Sequence, residues 1–110
     1  MEAGKKKRLQ TRGWKVGSVS ELLELSSEEA ALVELRLSLA DAVRRLRKQK
    51  HLTQVQLAEL LGSSQSRVAK VEAAEESVSL DLLIRSLLAM GATTGDLAEV
   101  IERSAPVRAL

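Results

Sequence analysis

Leu32, Leu35, Leu39, Val43 and Leu46 recur three or four residues apart. That spacing puts them on one face of a helix, because 3.6 residues complete a turn. Ser26 and Glu29 form a capping-box pair ahead of them, in which each side chain bonds the other's backbone N–H. The pattern predicts a helix from about Ser27 to Lys50. Glu28 and Glu29 fall in its first turn, and Arg47, Lys48 and Lys50 in its last, as the helix dipole favours. Thr53 and Gln56 form a further box. It opens a short helix with Leu57, Ala58 and Leu61 inward, ended by Gly62 in a left-handed conformation. Ser64 caps the next helix, Gln65 to about Ala74. Val68 and Val71 face inward there, while Gln65, Ser66, Arg67 and Lys70 face out. Ser79 opens a fourth helix, Leu80–Met90, with Leu82, Leu83, Leu87 and Leu88, closed by Gly91. A last helix, Thr94–Arg103, carries Leu97, Val100 and Ile101.

The remaining segments lack this periodicity. Residues 1–13 read as a flexible basic tail. Residues 14–26 form an N-terminal extension. Its first part, 14–19, alternates weakly and reads as extended, and Ser18 with Glu21 precedes a helical turn at Ser20–Leu25. Residues 27–103 form the helical domain, and 104–110 a C-terminal tail containing Pro106. The fold class is all-α, with five helices joined by short loops.

The composition agrees with a single domain: 110 residues, 45% hydrophobic and 29% charged. Trp14 is the sole aromatic, so the core must be aliphatic. No run approaches the ~18 apolar residues of a membrane span. The basic start has no apolar stretch behind it and does not read as a secretory signal. There is no cysteine, hence no disulfide framework or thiolate metal site, and a cytoplasmic location fits. Charge is unevenly distributed. Residues 1–15 carry six basic side chains and one acidic, residues 16–42 six acidic and one basic, and residues 43–50 five basic. Basic clusters on an acidic background suit nucleic acid, although the 44–50 run also complements the helix dipole.

Two short helices joined by a tight glycine turn suggest helix-turn-helix. In that motif the first helix braces the second, which enters the major groove and shows its N-terminal side chains to base edges. Gln65 can pair with adenine and Arg67 with guanine, while Ser66 is permissive. Gln54 could bond a phosphate or position Gln65. Lys70 and the 44–50 cluster could neutralise phosphates, which set register without carrying sequence information.

At these residues the chain resembles the Cro and phage-repressor (XRE) class of regulators. The resemblance rests on Leu52-Thr53-Gln54, Leu57-Ala58, Leu61-Gly62, Ser64, Val68 and Glu72, and spans roughly residues 40–92. It implies a five-helix, lambda-repressor-like DNA-binding domain. The implied partner is a double-stranded DNA operator, palindromic and bound by a homodimer. Base contacts would fall to Gln65, Ser66, Arg67 and Lys70. Phosphate or positioning contacts would fall to Thr53, Gln54 and Ser64. Arg47 would pair with Glu72 as a structural ion pair. No cofactor or metal is implied. Two departures stand out. His51 occupies the place where the class has glycine, and it has the bearing of a surface loop residue. The loop before the fourth helix reads Ala73-Ala74-Glu75-Glu76-Ser77 without the usual glycine, so the third helix is expected to run on by a turn.

Trp14, Val16, Leu22 and Leu23 either pack back on the domain or bind a partner. The chain as a whole resembles HigA-type antitoxins, which implies a toxin protein as partner and autoregulation as a repressor. No nucleophile elbow, phosphate-binding loop or zinc-protease motif occurs, so the chain does not read as an enzyme. The functional reading is a sequence-specific transcriptional regulator. The alternative is a protein-interaction module that keeps the helix-turn-helix shape without binding DNA.

Overall fold

The computed structural model describes residues 26–104. It holds five helices: α1 Ser27–Gln49, α2 Gln54–Leu61, α3 Gln65–Glu72, α4 Leu80–Ala89 and α5 Thr94–Arg103. There is no strand among the described residues. By its contacts the chain divides into two units. Residues 35–104 form one, and residues 1–34 with 105–110 the other. Of the second unit only residues 26–34 are described. There Ser26 accepts from the Glu29 N–H at 3.2 Å, and Glu29 accepts from the Ser26 N–H at 3.0 Å. The basic tail 1–13, the extended stretch 14–19, the Ser18/Glu21 pair and the tail 105–110 lie outside the described residues.

In the unit 35–104 the core is aliphatic. Leu39 and Val43 of α1, Leu57 of α2, Val68 and Val71 of α3, and Leu83 of α4 are all fully buried. Leu82, Leu87, Met90 and Val78 close it from the α4 side. Among the described residues the one fully buried hydroxyl, Ser86, donates to the Leu82 carbonyl at 2.8 Å, so its burial leaves that donor satisfied. Leu32 departs from the leucine spacing of α1, since it is 44% exposed while Ala30, two residues before it, is buried. Periodicity assigns a residue to a face, but burial also needs a neighbour over that face. Leu88 differs in the same way, at 44% exposed on the outer side of α4.

Four helices end by one device. In each, an N–H just past the helix end returns to the carbonyl five residues back: Leu52 to Arg47, Ser63 to Ala58, Glu75 to Lys70 and Ala92 to Leu87. The preceding residue then sits left-handed, as a Schellman ending requires. Gly62 (φ 63) and Gly91 (φ 100) occupy two of these positions, but His51 (φ 58) and Ala74 (φ 54) occupy the others. The third helix therefore does not run on. It stops at Glu72, capped by Ala73, and Ala74 takes the strained conformation in place of a glycine. Reversing the chain there lets Val78 reach the core, where it is 3% exposed. That burial offsets a left-handed cost of about 1–2 kcal/mol.

Candidate nucleic-acid interface

The break between α2 and α3 is built from side chain to backbone bonds. Thr53 Oγ1 accepts from the Gln56 N–H at 3.0 Å, and Gln56 Oε1 accepts from the Thr53 N–H at 2.8 Å. At the other end, Gly62 carries the chain into α3, where Ser64 Oγ accepts from the Arg67 N–H at 3.2 Å. Ser64 Oγ also lies 3.5 Å from Ser66 Oγ. α3 packs on α2 and α2 on α4. Val68 and Val71 bury one side of α3, which leaves Gln65, Ser66, Arg67 and Lys70 exposed. Ser66 and Lys70, four residues apart, share the outermost face. Gln65 stands on the edge next to α2, and Arg67 on the opposite edge.

A polar chain links α1 to the start of α3. Arg47 donates through Nε to Glu72 Oε2 at 2.5 Å and through Nη2 to Glu72 Oε1 at 3.0 Å. Its Nη1 donates to the Leu52 carbonyl at 2.9 Å. Both side chains are nearly buried, 12% and 6% exposed. The hydrogen bond to Glu72 raises the Arg47 pKa above its ordinary value, and burial opposes it less strongly. Glu72 Oε1 also accepts from Gln54 Nε2 at 3.1 Å, and Gln54 Oε1 accepts from Gln65 Nε2 at 3.1 Å. An ionised carboxylate only accepts. Gln54 must therefore turn its amide nitrogen to Glu72 and its oxygen to Gln65. Gln65 in turn must answer with its own nitrogen. The charge on Glu72 thus sets the orientation of both glutamines, and Gln65 keeps its oxygen and one N–H for a ligand.

The remaining candidates separate from this cluster. Arg44 and Arg45 lie 3.7 and 3.6 Å from Asp41 on the exposed side of α1, pairs worth little in water. Lys48, Lys50 and His51 are exposed. Trp14, Val16, Leu22 and Leu23 fall outside the described residues. No group of His, Cys, Asp and Glu suited to a metal occurs among the described residues, and no helix there is long and apolar enough to cross a membrane.

Sequence reasoning did not single out Arg36. Its Nη1 donates to the carbonyl of Val78, 42 residues on, in the turn that follows α3. One signal pointed to it: Arg36 precedes Arg47 by eleven residues, three helical turns, and so shares its face. A groove of about 500 Å³ also separates the second half of α1 from α5. Leu46, Leu87, Leu97 and Val100 line it, with Arg45 and Lys50 on the α1 side and Asp96, Glu99 and Arg103 on the α5 side. No residue of α5 is buried, and burial returns only at its cap, Ser104.

No curated protein sequence and no solved structure matches this chain. A helix-turn-helix family model matches residues 43–97, half of the chain, from the middle of α1 into α5. The chain belongs to this XRE-type helix-turn-helix family of DNA-binding regulators.

Proposed function

We propose that the protein is a sequence-specific transcriptional regulator that reads duplex DNA with α3. The observation that carries this reading is the oriented Gln65 amide at the exposed start of α3. Adenine offers an N7 acceptor and an N6 donor in the major groove, and an amide held with one N–H and its oxygen available matches both. Ser66, Arg67 and Lys70 would meet neighbouring bases. Thr53, Gln54 and Ser64 would meet or order the flanking phosphates, aided by unpaired backbone N–H groups at the helix start. Gln54 serves chiefly to position Gln65, since both ends of its amide are engaged within the protein.

One short helix makes few base contacts, so two copies on a palindrome are the natural unit. The α1–α5 groove favours this arrangement. Arg45 and Lys50 of one copy could meet Asp96 and Glu99 of another about a twofold axis, where the same surface meets itself, and exposed Ile101 lies on the same helix as the acidic pair. Sedimentation at micromolar concentration should show a dimer of the 12.0 kDa chain, and a monomer alone, with and without DNA, would exclude it. Action as a repressor follows from occupying an operator. An antitoxin role would add a toxin bound through residues 14–25.

The test is selection of bound duplexes from a random pool at about 0.15 M salt, where a specific binder still holds DNA. An enriched palindrome with half-sites about one helical turn apart supports the reading. No enrichment at any salt would favour the protein-interaction module that keeps this scaffold.

A further inference from the structure

We propose that Arg36, which lies outside the residues matched by the family model, is a positioning residue for the recognition helix α3. This rests on the DNA-binding reading above. Arg36 sits on α1 and donates to the Val78 carbonyl, while Arg47 on the same face of α1 holds Glu72. The first helix therefore grips the exit of α3 at two points about 16 Å apart along its axis. One is the last residue of α3. The other is the far side of the turn 73–79. Between them stands Ala74 at φ 54, a conformation that persists only where its surroundings over-determine it. Val78 supplies the anchor: its side chain is buried in the core, so a bond to its carbonyl is a bond to a fixed point.

The consequence concerns specificity. Bidentate pairing with a base tolerates little angular error, whereas a phosphate contact is a forgiving point attraction. A turn that loosens at residues 73–79 lets α3 rock about its valine contacts. That movement spoils base pairing and spares phosphate binding. Arg36 touches no base, so its effect must pass through the turn.

The experiment compares full-length Arg36→Met, which keeps the aliphatic stem and removes the donors, with Arg36→Lys, which keeps a donor. Thermal melts first establish that each is folded at the binding temperature. On the enriched duplex Arg36→Met should lose about tenfold in affinity. On scrambled duplex its affinity should change less than about twofold, with the salt slope unchanged. Arg36→Lys should recover most of the loss. Without DNA, the Glu75 and Val78 amides should exchange faster in Arg36→Met than in the wild type. Equal losses on both duplexes, or no loss on either, would overturn the proposal, as would unchanged exchange. A wild type that ignores every duplex would instead overturn the DNA-binding reading, and the exchange measurement would still decide whether Arg36 holds the turn.

Discussion

Arg47 and Glu72 meet through two hydrogen bonds across 25 residues of sequence, and the carboxylate oxygen at 3.0 Å from Arg47 also accepts from Gln54. One nearly buried ion pair therefore both ties α1 to α3 and orients the side chain that orients Gln65. Removing one member strands the other away from water. Glu72→Ala should destabilise the fold by about 3 kcal/mol, read by urea unfolding. A loss below about 0.5 kcal/mol would reduce the pair to the level of an exposed salt bridge.

Glu72→Gln separates the two roles. A neutral amide can donate as well as accept, so it no longer dictates which way Gln54 points. Operator affinity should fall further than the stability loss explains. The coupling between Gln54 and Gln65 should appear in a double-mutant cycle. Gln54→Ala alone should weaken operator binding about tenfold, and should add little in a Gln65→Ala background. Additive losses would show that the 3.1 Å contact between them does not position Gln65.

Arg67 stands exposed on the edge of α3 away from Gln54, and its side chain makes no bond within the described protein that competes with a base. Arg67→Ala should cost ~1–3 kcal/mol on the operator and relax preference at one base pair. Equal losses on operator and scrambled duplex would make it a phosphate contact.

Helix endings give a stability prediction with both signs. Ala74→Gly and His51→Gly place glycine where φ is already positive. Each should stabilise the fold by about 0.5–1 kcal/mol, the relief of strain exceeding the added chain entropy. Gly62→Ala runs the other way. An added Cβ there meets nothing within 4 Å, so the loss should be the conformational term alone, about 1–2 kcal/mol. Thermal unfolding of the three variants tests the set, and a destabilised Ala74→Gly would contradict it.

Asp96 closes the capping box at the start of α5, accepting from the Thr93 N–H at 2.9 Å. Hydrogen bonds from the Thr93 backbone and side chain hold its pKa below the ordinary 3.8. A depressed carboxylate contributes stability that is full above its unfolded pKa and fades as pH falls through the folded one. The α5 amides should therefore stay protected at pH 5 and loosen below about pH 4. Titration of the Asp96 carboxyl by NMR checks this, and a midpoint above 3.8 would refute it.

Much of the fold was legible because it is local. Each capping pair involves residues three apart, and Ser26/Glu29, Thr53/Gln56 and Ser64 with the Arg67 N–H all form in the structure. The 3.6-residue spacing likewise placed Leu39, Val43, Leu57, Val68 and Val71 on buried faces. The reading failed where a local rule met a distant demand. The loop Ala73–Ser77 holds no glycine, so by propensity α3 should continue. The core requires Val78, and the chain reverses at an alanine to deliver it.

For the candidate site, residue types and their outward placement on α3 could be read from spacing, because exposure on a short helix follows from which valines face in. Their order relative to one another could not. That Glu72, 18 residues beyond Gln54, dictates the direction of two amides depends on three helices meeting at one point. That Arg36 reaches Val78 depends on where the turn after α3 comes to rest. The sequence alone determined where the helices start, their N-caps and most of their inward positions, since these depend on neighbours within four residues. The Arg47–Glu72 pair and the Gln54–Gln65 contact were expected from the resemblance and the residue types, but only the tertiary structure decided that Glu72 joins them into one chain and that Arg36 holds the turn after α3, since hydrogen bonds between helices exist only once the apolar faces have packed.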